Sequence, residues 1–207
     1  MKKTDDSRFF DAKKLADLSD GIFAFAMTFL IVTIDIPKTS AALLNTELFQ
    51  MVPDLLTYAL SFFLLAIFWM TNHVQMKDIK CADSRVVWIN MLLFLAIVFV
   101  PFSTDLYSFY DGLIIPMLAF NLNIFVIGLI FLLQWHHLVA NNLHHENFTK
   151  IEVRDRYSLF YMLMAVSLVA IGVGLVHPAF SAIVYILMFI YRLYLRKRWS
   201  QQKTPRR

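Results

Sequence analysis

Six apolar runs, each long enough to cross the hydrocarbon core of a bilayer, constrain this chain more than any other feature of its sequence. A spanning helix needs about 20 mainly apolar residues. Continuous runs of this length exclude a membrane barrel, whose strands alternate polar and apolar residues. With 207 residues, 59% hydrophobic, the chain is too apolar for a soluble core of its size. The predicted spans are residues 21–37, 53–73, 86–104, 112–135, 157–176 and 178–195.

These runs predict an all-α membrane protein with six transmembrane helices per chain. The predicted spans form a single domain over residues 1–200, and residues 201–207 are a short basic tail. Residues 176–178 leave room only for a tight turn between the last two spans, which is typical of a helical hairpin. Residues 1–20 mix lysines with aspartates and show no cleavage site, so we expect the first apolar segment to stay in the protein.

The distribution of lysine and arginine predicts the orientation of the chain. If both termini lie inside, 18 of the 19 basic residues lie on the inner side, and only Lys38 lies outside. This asymmetry follows the positive-inside rule and requires an even number of spans. We therefore expect both termini and Cys81 to face the cytoplasm of a cell-membrane protein, with residues 38–52 and 105–111 outside. Cys81 is the single cysteine, so no disulfide forms within the chain.

The basic run at residues 192–207 has two interpretations. Such a run could bind nucleic acid, but it directly follows an apolar span and contains the aromatic Trp199. Juxtamembrane basic clusters bind anionic headgroups, and aromatic residues anchor helices at the interface. We therefore expect membrane lipids as partners and no nucleic acid.

Polar side chains inside the spans are the candidate functional residues, because an unpaired polar group in hydrocarbon is costly. The alternating direction of the first three spans places their polar residues at one depth, near the inner end. Such a cluster either fastens three helices together or acts directly on an ion or proton, and the sequence leaves both open. Its members are Ser19, Asp20, Trp69, Asn72, His73 and Asn90.

The chain carries no further cluster that favours a metal or a cofactor. His137 and His144 share a helix face, but seven residues rise about 10 Å, which is too far for one metal ion. We therefore expect His136, His137, His144 and His145 to lie in a solvated inner loop. The sequence also has no Gly-rich phosphate loop, nucleophile elbow or zinc signature. A membrane enzyme would need such groups, so we expect no catalytic residue and no cofactor.

The first span resembles a known family. Residues 14–21, which lead into the apolar run, are similar to the Arg-x-x-x-Phe-Ser-Asp signature of the transmembrane protein 175 family of potassium channels, in its single-repeat prokaryotic branch. Ser19 and Asp20 match the signature. Lys14 and Leu18 stand where the family has arginine and phenylalanine, and a lysine loses the bidentate hydrogen bonding of arginine.

The second and third spans extend the resemblance. Residues 61–62 and 69–73 look like the aromatic and histidine pattern of the family's second helix, and residues 90–102 look like its third. The resemblance covers roughly residues 14–104.

The resemblance implies a homotetramer in which the first helix of each subunit lines a central pore. The family's pore stripe corresponds here to Phe25, Thr28 and Val32, and residues at this spacing share one helix face. The alternative is an ordinary packing stripe, with Thr28 bonded to its own helix. The chain has no Thr-Val-Gly-Tyr-Gly filter, so selectivity would come from rings of these side chains.

The function that the resemblance implies is a leak-type channel selective for potassium, with K⁺ as the permeant ion. A proton- or ion-coupled secondary transporter is the alternative. Transporters are often built from repeats with paired broken helices, whereas Gly112, Gly128, Gly172 and Gly174 are scattered and mark no such pair. A potassium flux measurement in liposomes separates the two classes, because a carrier requires coupling and a pore does not.

Overall fold

The chain folds into long antiparallel helices joined by short connections. A computed structural model describes residues 10–34, 36–80, 82–144 and 150–185. After the last long helix comes a 3₁₀ helix, Pro178–Tyr185. The α-helices are α1 (Ala12–Val32), α2 (Leu44–Gln50), α3 (Val52–Lys77), α4 (Ser84–Phe109), α5 (Ile114–Ala140) and α6 (Lys150–Val176).

The first five predicted spans coincide with helices that are long and apolar enough to cross a membrane, namely α1, α3, α4, α5 and α6. The boundaries differ most at α1, which begins at Ala12 rather than at residue 21. The reason is an N-cap, in which the Asp11 carboxylate accepts a hydrogen bond from the Lys13 backbone N–H at 2.9 Å. Polar residues of the signature therefore belong to the first helix and do not precede it.

The sixth predicted span, residues 178–195, is described only over its first part. That part is the 3₁₀ helix Pro178–Tyr185, and the remainder of the span and the basic tail at 201–207 lie outside the described residues. The structure also contains an element that the sequence did not predict. The short helix α2, Leu44–Gln50, lies in the segment predicted to be an outer connection.

The centre of the bundle is α5, which packs between α4 and α6. Its Phe131 stacks on Phe160 of α6 at a ring distance of 5.9 Å and contacts Phe68 of α3 at 6.3 Å. All three rings are buried. On the other side, α1 packs against α3 and α4. The described helices thus form two groups, α1 with α3 and α5 with α6, and α4 packs against both.

The two ends of the bundle differ in charge. We call the end where α1 and α4 begin the basic end, since it carries the described lysines and arginines except Lys38. We call the end where α3 and α5 begin the acidic end, because it carries Glu47, Asp54, Asp105 and Asp111. There, carboxylates accept hydrogen bonds between α3 and α4. Tyr58 donates to Asp105 at 2.7 Å, and Ser108 donates to Asp54 at 2.6 Å.

Close packing of α6 against α5 depends on a glycine. An ideal Cβ on Gly174 would overlap the Met117 sulfur and lie 2.8 Å from its Cγ. Met117 is fully buried, so it has little space to move. Gly172, two residues earlier on the same helix, has open space around it.

We expect Gly174→Ala to lower the free energy of unfolding by about 1–2 kcal/mol, since the cost of overpacking exceeds the gain in helix propensity. Thermal unfolding of the purified protein in detergent measures this effect. Gly172→Ala is the matched control and should be neutral or slightly stabilising. Equal effects at both glycines would show that the α5–α6 contact is looser than the structure has it.

Candidate functional site

Helix α1 has one buried face and one exposed face. Phe23, Ala26 and Leu30 are buried against the neighbouring helices, and both Phe23 and Ala26 are fully inaccessible. These residues recur at a spacing of three to four, which is the period of a helix. The buried face anchors α1 to α3 and α4, so the orientation of the opposite face is fixed by packing.

The exposed face of α1 carries the stripe of Phe25, Thr28 and Val32. Phe25 is 55% exposed and Val32 is 70% exposed in the single chain, and Thr28 is exposed between them. The Phe25 ring stacks on Phe29 with centroids 5.6 Å apart. The structure thus places the three residues on one surface of the subunit, with no other described helix covering them.

The hydroxyl of Thr28 is bonded to its own helix. Its Oγ1 donates toward the carbonyl oxygens of Phe25 at 2.9 Å and Ala24 at 3.0 Å. Because the hydroxyl hydrogen is directed to the backbone, the lone pairs of the oxygen remain free to accept or to coordinate. Back-bonding of this kind therefore does not exclude a role in holding a cation.

Asp20 joins α1 to α3. The indole N–H of Trp69 donates to Asp20 Oδ1 at 2.8 Å, and His73 Nδ1 lies 3.9 Å from the same oxygen. The rings of Trp69 and His73 lie 5.6 Å apart, one helical turn from each other on α3. The Asp20 and His73 side chains are 46% and 37% exposed. The three side chains form a polar contact on the surface of the subunit rather than in its core.

The other residues of the predicted cluster lie elsewhere. Ser19 and Asn90 are buried and donate to their own helices, to Leu15 O at 3.0 Å and Val86 O at 2.9 Å. Asn72 is buried as well, and its Oδ1 has no hydrogen-bond partner among the described residues. Lys14, at the start of the signature, is exposed. Of the predicted cluster, the structure therefore joins only Asp20, Trp69 and His73.

The histidine prediction is wrong for His136 and His137, which belong to α5 and not to a solvated loop. His137 is only 12% exposed, and its Nε2 lies 2.8 Å from Asp83 Oδ2. The same carboxylate caps α4 through its other oxygen, which accepts from Val86 N–H at 2.8 Å. His145 lies outside the described residues, and within the described ranges no group of three potential ligands could hold a metal ion.

A second ion pair fastens the same end of the bundle. Arg156 of α6 lies 2.7 Å from Asp78, which follows α3, and both side chains are about nine-tenths buried. The Arg156 guanidinium also lies over the ring of Trp135 of α5, at 5.6 Å. Sequence reasoning missed both pairs, although Asp83 directly before an apolar run is a recognisable N-cap signal.

The electrostatics of Asp83 favour its charged form. Partial burial raises the pKa of this carboxyl, but the hydrogen bonds from Val86 and His137 and the charges of His137 and Arg85 outweigh burial. The pKa of Asp83 is therefore below its usual range. The carboxylate is ionised at neutral pH, so the link between the start of α4 and the end of α5 persists there.

Five helices are long and apolar enough to cross a membrane, which defines a multi-pass α-helical membrane protein. The Asp20–Trp69 contact and Thr28 lie on the exposed faces of these helices. Residues 14–101 match the family model described as "Endosomal/lysosomal potassium channel TMEM175". This match covers α1, α3 and most of α4, the helices that hold the candidate site. Residues 14–101, which are 88 of the 207 residues, are thus similar to the TMEM175 family.

Bacterial proteins named as potassium channels are similar to this chain as well. A potassium channel of Streptomyces collinus is 26% identical over 133 residues, which are 62% of this chain and 65% of the relative. A potassium channel of Chamaesiphon minutus is 29% identical over 100 residues, 47% of this chain and 49% of the relative. The matches thus span about half to just under two thirds of the length of these relatives. Both carry the name of a channel rather than of an enzyme.

Solved structures share the fold. The crystal structure of a lysosomal potassium-selective channel TMEM175 homolog from Chamaesiphon minutus superposes with a TM-score of 0.77 at 22% identity. The match covers 88% of this chain and 97% of that one. The potassium channel MtTMEM175 matches with a TM-score of 0.63 at 15% identity, over 96% of this chain and 99% of the other. The likeness is therefore one of architecture, and it extends over most of the chain.

We expect Asp20→Ala to destabilise the α1–α3 contact by about 1–2 kcal/mol, because it removes the acceptor of the Trp69 indole N–H. His73→Ala should cost less, since His73 lies 3.9 Å away, beyond hydrogen-bond distance. Trp69→Phe keeps a ring beside His73 and removes only the donor, so it should resemble Asp20→Ala. Thermal unfolding and size-exclusion chromatography in detergent report the losses. Asp17→Ala, an exposed carboxylate on the same helix, is the control, and equal losses there would contradict a specific role.

Proposed function

We propose that this protein is a leak-type, potassium-selective cation channel, in which the α1 helices of four subunits line a central pore. The observation that carries the proposal is the division of α1. Its Phe23 and Leu30 face is buried within the subunit, whereas its Phe25, Thr28 and Val32 face is left uncovered. The bacterial relatives named as potassium channels support the choice of ion.

One subunit offers one such stripe, so the ion path has to lie between subunits. A ring of four Thr28 side chains would place hydroxyl oxygens within an otherwise apolar passage. Their lone pairs would replace part of the hydration shell of a passing ion. A potassium ion is less strongly hydrated than sodium and loses less on this exchange, so such a ring favours potassium.

Phe25 is the most bulky residue of the stripe. Four phenyl rings at one level would form an apolar constriction, and such constrictions gate by excluding water. Its stacking on Phe29 of the same helix holds the ring in place. We therefore infer that Phe25 restricts conduction at rest.

We expect Phe25→Ala to raise potassium flux into proteoliposomes, since it opens the constriction. Thr28→Ala and Thr28→Val should weaken the preference for potassium over sodium, because both remove the hydroxyl oxygen. Val32→Ala should have a milder effect. The measurement is ion-dependent flux, with both ions compared in the same vesicles, and a flux that needs no counter-ion separates a passive pore from a coupled carrier.

Matched controls come from exposed or back-bonded residues on other helices. Phe102→Ala removes an aromatic side chain of α4 that is 54% exposed. Thr71→Val removes a hydroxyl of α3 that is bonded to its own helix at 2.7 Å. Phe23→Ala and Leu30→Ala are less suitable, because both residues are buried and report on packing. Changes in selectivity of equal size in Thr71→Val and Thr28→Val would refute the assigned pore face.

We propose further that the chain crosses the cell membrane six times, with both termini and the basic end in the cytoplasm. The charge difference between the two ends of the bundle supports this orientation, since lysine and arginine prefer the inner side. Cys81 lies outside the described residues, but its neighbours Lys80 and Ala82 lie in the α3–α4 connection at the basic end.

We expect Cys81 to resist an impermeant thiol reagent in intact cells and to react after permeabilisation. The double variant Cys81→Ser, Lys38→Cys provides the matched control, which should react without permeabilisation. Labelling of Cys81 in intact cells would reverse the orientation.

A further inference from the structure

A cavity of about 520 Å³ lies at the acidic end, between α3, α4 and the 3₁₀ helix. This volume is within the range of small-molecule sites, which is about 300–1,000 Å³. The cavity belongs to a single subunit and lies on helices other than α1. It is therefore separate from the proposed pore stripe.

Most of the cavity wall is apolar. Leu56 and Leu60 contribute from α3, and Phe180 and Ile183 contribute from the 3₁₀ helix. Leu56, Phe180 and Ile183 are more than half exposed, with Leu56 at 66%. The apolar part of the cavity is thus open to the surroundings of the subunit, where a hydrocarbon chain could enter.

The polar part of the cavity is acidic. Asp54 and Asp111 line it together with Ser108, whose hydroxyl donates to Asp54 Oδ1 at 2.6 Å. Among the described residues, no basic side chain lies within ion-pair distance of either carboxylate. The only lysine or arginine of the described acidic end is Lys38. The negative charge at the cavity is therefore not neutralised by the part of the chain that the structure describes.

Hydrogen bonds hold the cavity in shape. Tyr107, which lines it from α4, donates toward the carbonyl oxygens of Pro178 at 2.9 Å and Ala179 at 3.1 Å, and it accepts from Ser181 at 3.2 Å. Tyr185 at the end of the 3₁₀ helix is buried and donates to Asn121 of α5 at 2.8 Å. The wall formed by the 3₁₀ helix is thus fixed to α4 and α5, and the cavity is largely preformed.

We propose that this cavity binds a single-chain amphiphile with an ammonium head group, such as an alkylamine or a quaternary alkylammonium ion. The ammonium lies between Asp54 and Asp111, and the alkyl chain lies along Leu56, Leu60 and Phe180. Charge complementarity selects this class. An anionic or phosphate-containing amphiphile would bring negative charge against two carboxylates, and an inorganic cation would leave the apolar wall unused.

The test is photo-crosslinking with octyltrimethylammonium that carries a diazirine at the end of its alkyl chain. The full-length protein is labelled in lipid nanodiscs at neutral pH, and the labelled peptides are mapped by mass spectrometry. Label should appear on the α3 and 3₁₀ segments that contain Leu56, Phe180 and Ile183. Unlabelled octyltrimethylammonium should compete, whereas octyl sulfate and octanol should not.

Variants decide whether the carboxylates select the ligand. Asp111→Asn alone, and together with Asp54→Asn, should lower labelling, by about tenfold for the double variant, because each removes a charge-assisted contact. Asp111 is exposed, so its substitution leaves the packing intact. Asp17→Asn, an exposed carboxylate at the other end of the bundle, is the matched control and should label like the parent.

Three results would overturn the proposal. Equal labelling by a neutral octanol-based probe would show partition by apolar contact alone. Unchanged labelling in the double variant would show that the carboxylates do not hold the head group. Oxidant-induced disulfides between two copies of a Cys81→Ser, Ile183→Cys variant, together with no label from the probe on the parent protein, would show that a neighbouring subunit fills the cavity.

Discussion

The absence of water in the hydrocarbon core of a bilayer is the constraint on which this structure depends. Every backbone N–H and carbonyl in that region must be paired within the protein, and a helix pairs them within its own segment. The same constraint acts on polar side chains. Ser19, Asn90, Thr28 and Thr71 all donate to carbonyl oxygens of their own helices. Others pair across helices, as Trp69 does with Asp20.

This constraint explains why α1 has one face packed within the subunit and one face exposed. The helix is held by Phe23, Ala26 and Leu30, which pack against α3 and α4. Its other face is then left with apolar residues and one hydroxyl, which suits either a lipid or a neighbouring subunit. A threonine whose hydrogen is already bonded to the backbone can face such an environment at little cost, and it still offers its oxygen. Thr28 can thus donate its hydroxyl hydrogen to the backbone and still offer its oxygen as a ligand.

The basic end and the acidic end of the bundle differ in how their charged side chains are paired. At the basic end, buried or half-buried ion pairs, Asp83 with His137 and Asp78 with Arg156, fasten the loops between the long helices. At the acidic end, Asp54 and Asp105 accept from hydroxyls instead, and Lys38 is the only lysine or arginine among the described residues there. Ion pairs therefore join the described connections at the basic end. In the part of the chain that the structure describes, the carboxylates at the opposite end have no basic partner, and the cavity opens there.

Apolar runs, which are a local property of the sequence, predicted six spans, and five of them coincide with helices long and apolar enough to cross a membrane. The residues of the signature, and not the apolar runs, indicated the similarity to the TMEM175 family. They did not predict which partners meet. Asp83 binds His137 and Asp78 binds Arg156 across more than fifty residues of sequence, and Asp20 accepts from Trp69. Helical periodicity fixes the direction of each side chain around the axis of its helix. The rotation of one helix relative to another is set by packing. Only the tertiary structure therefore decided which polar groups pair, and where the cavity lies.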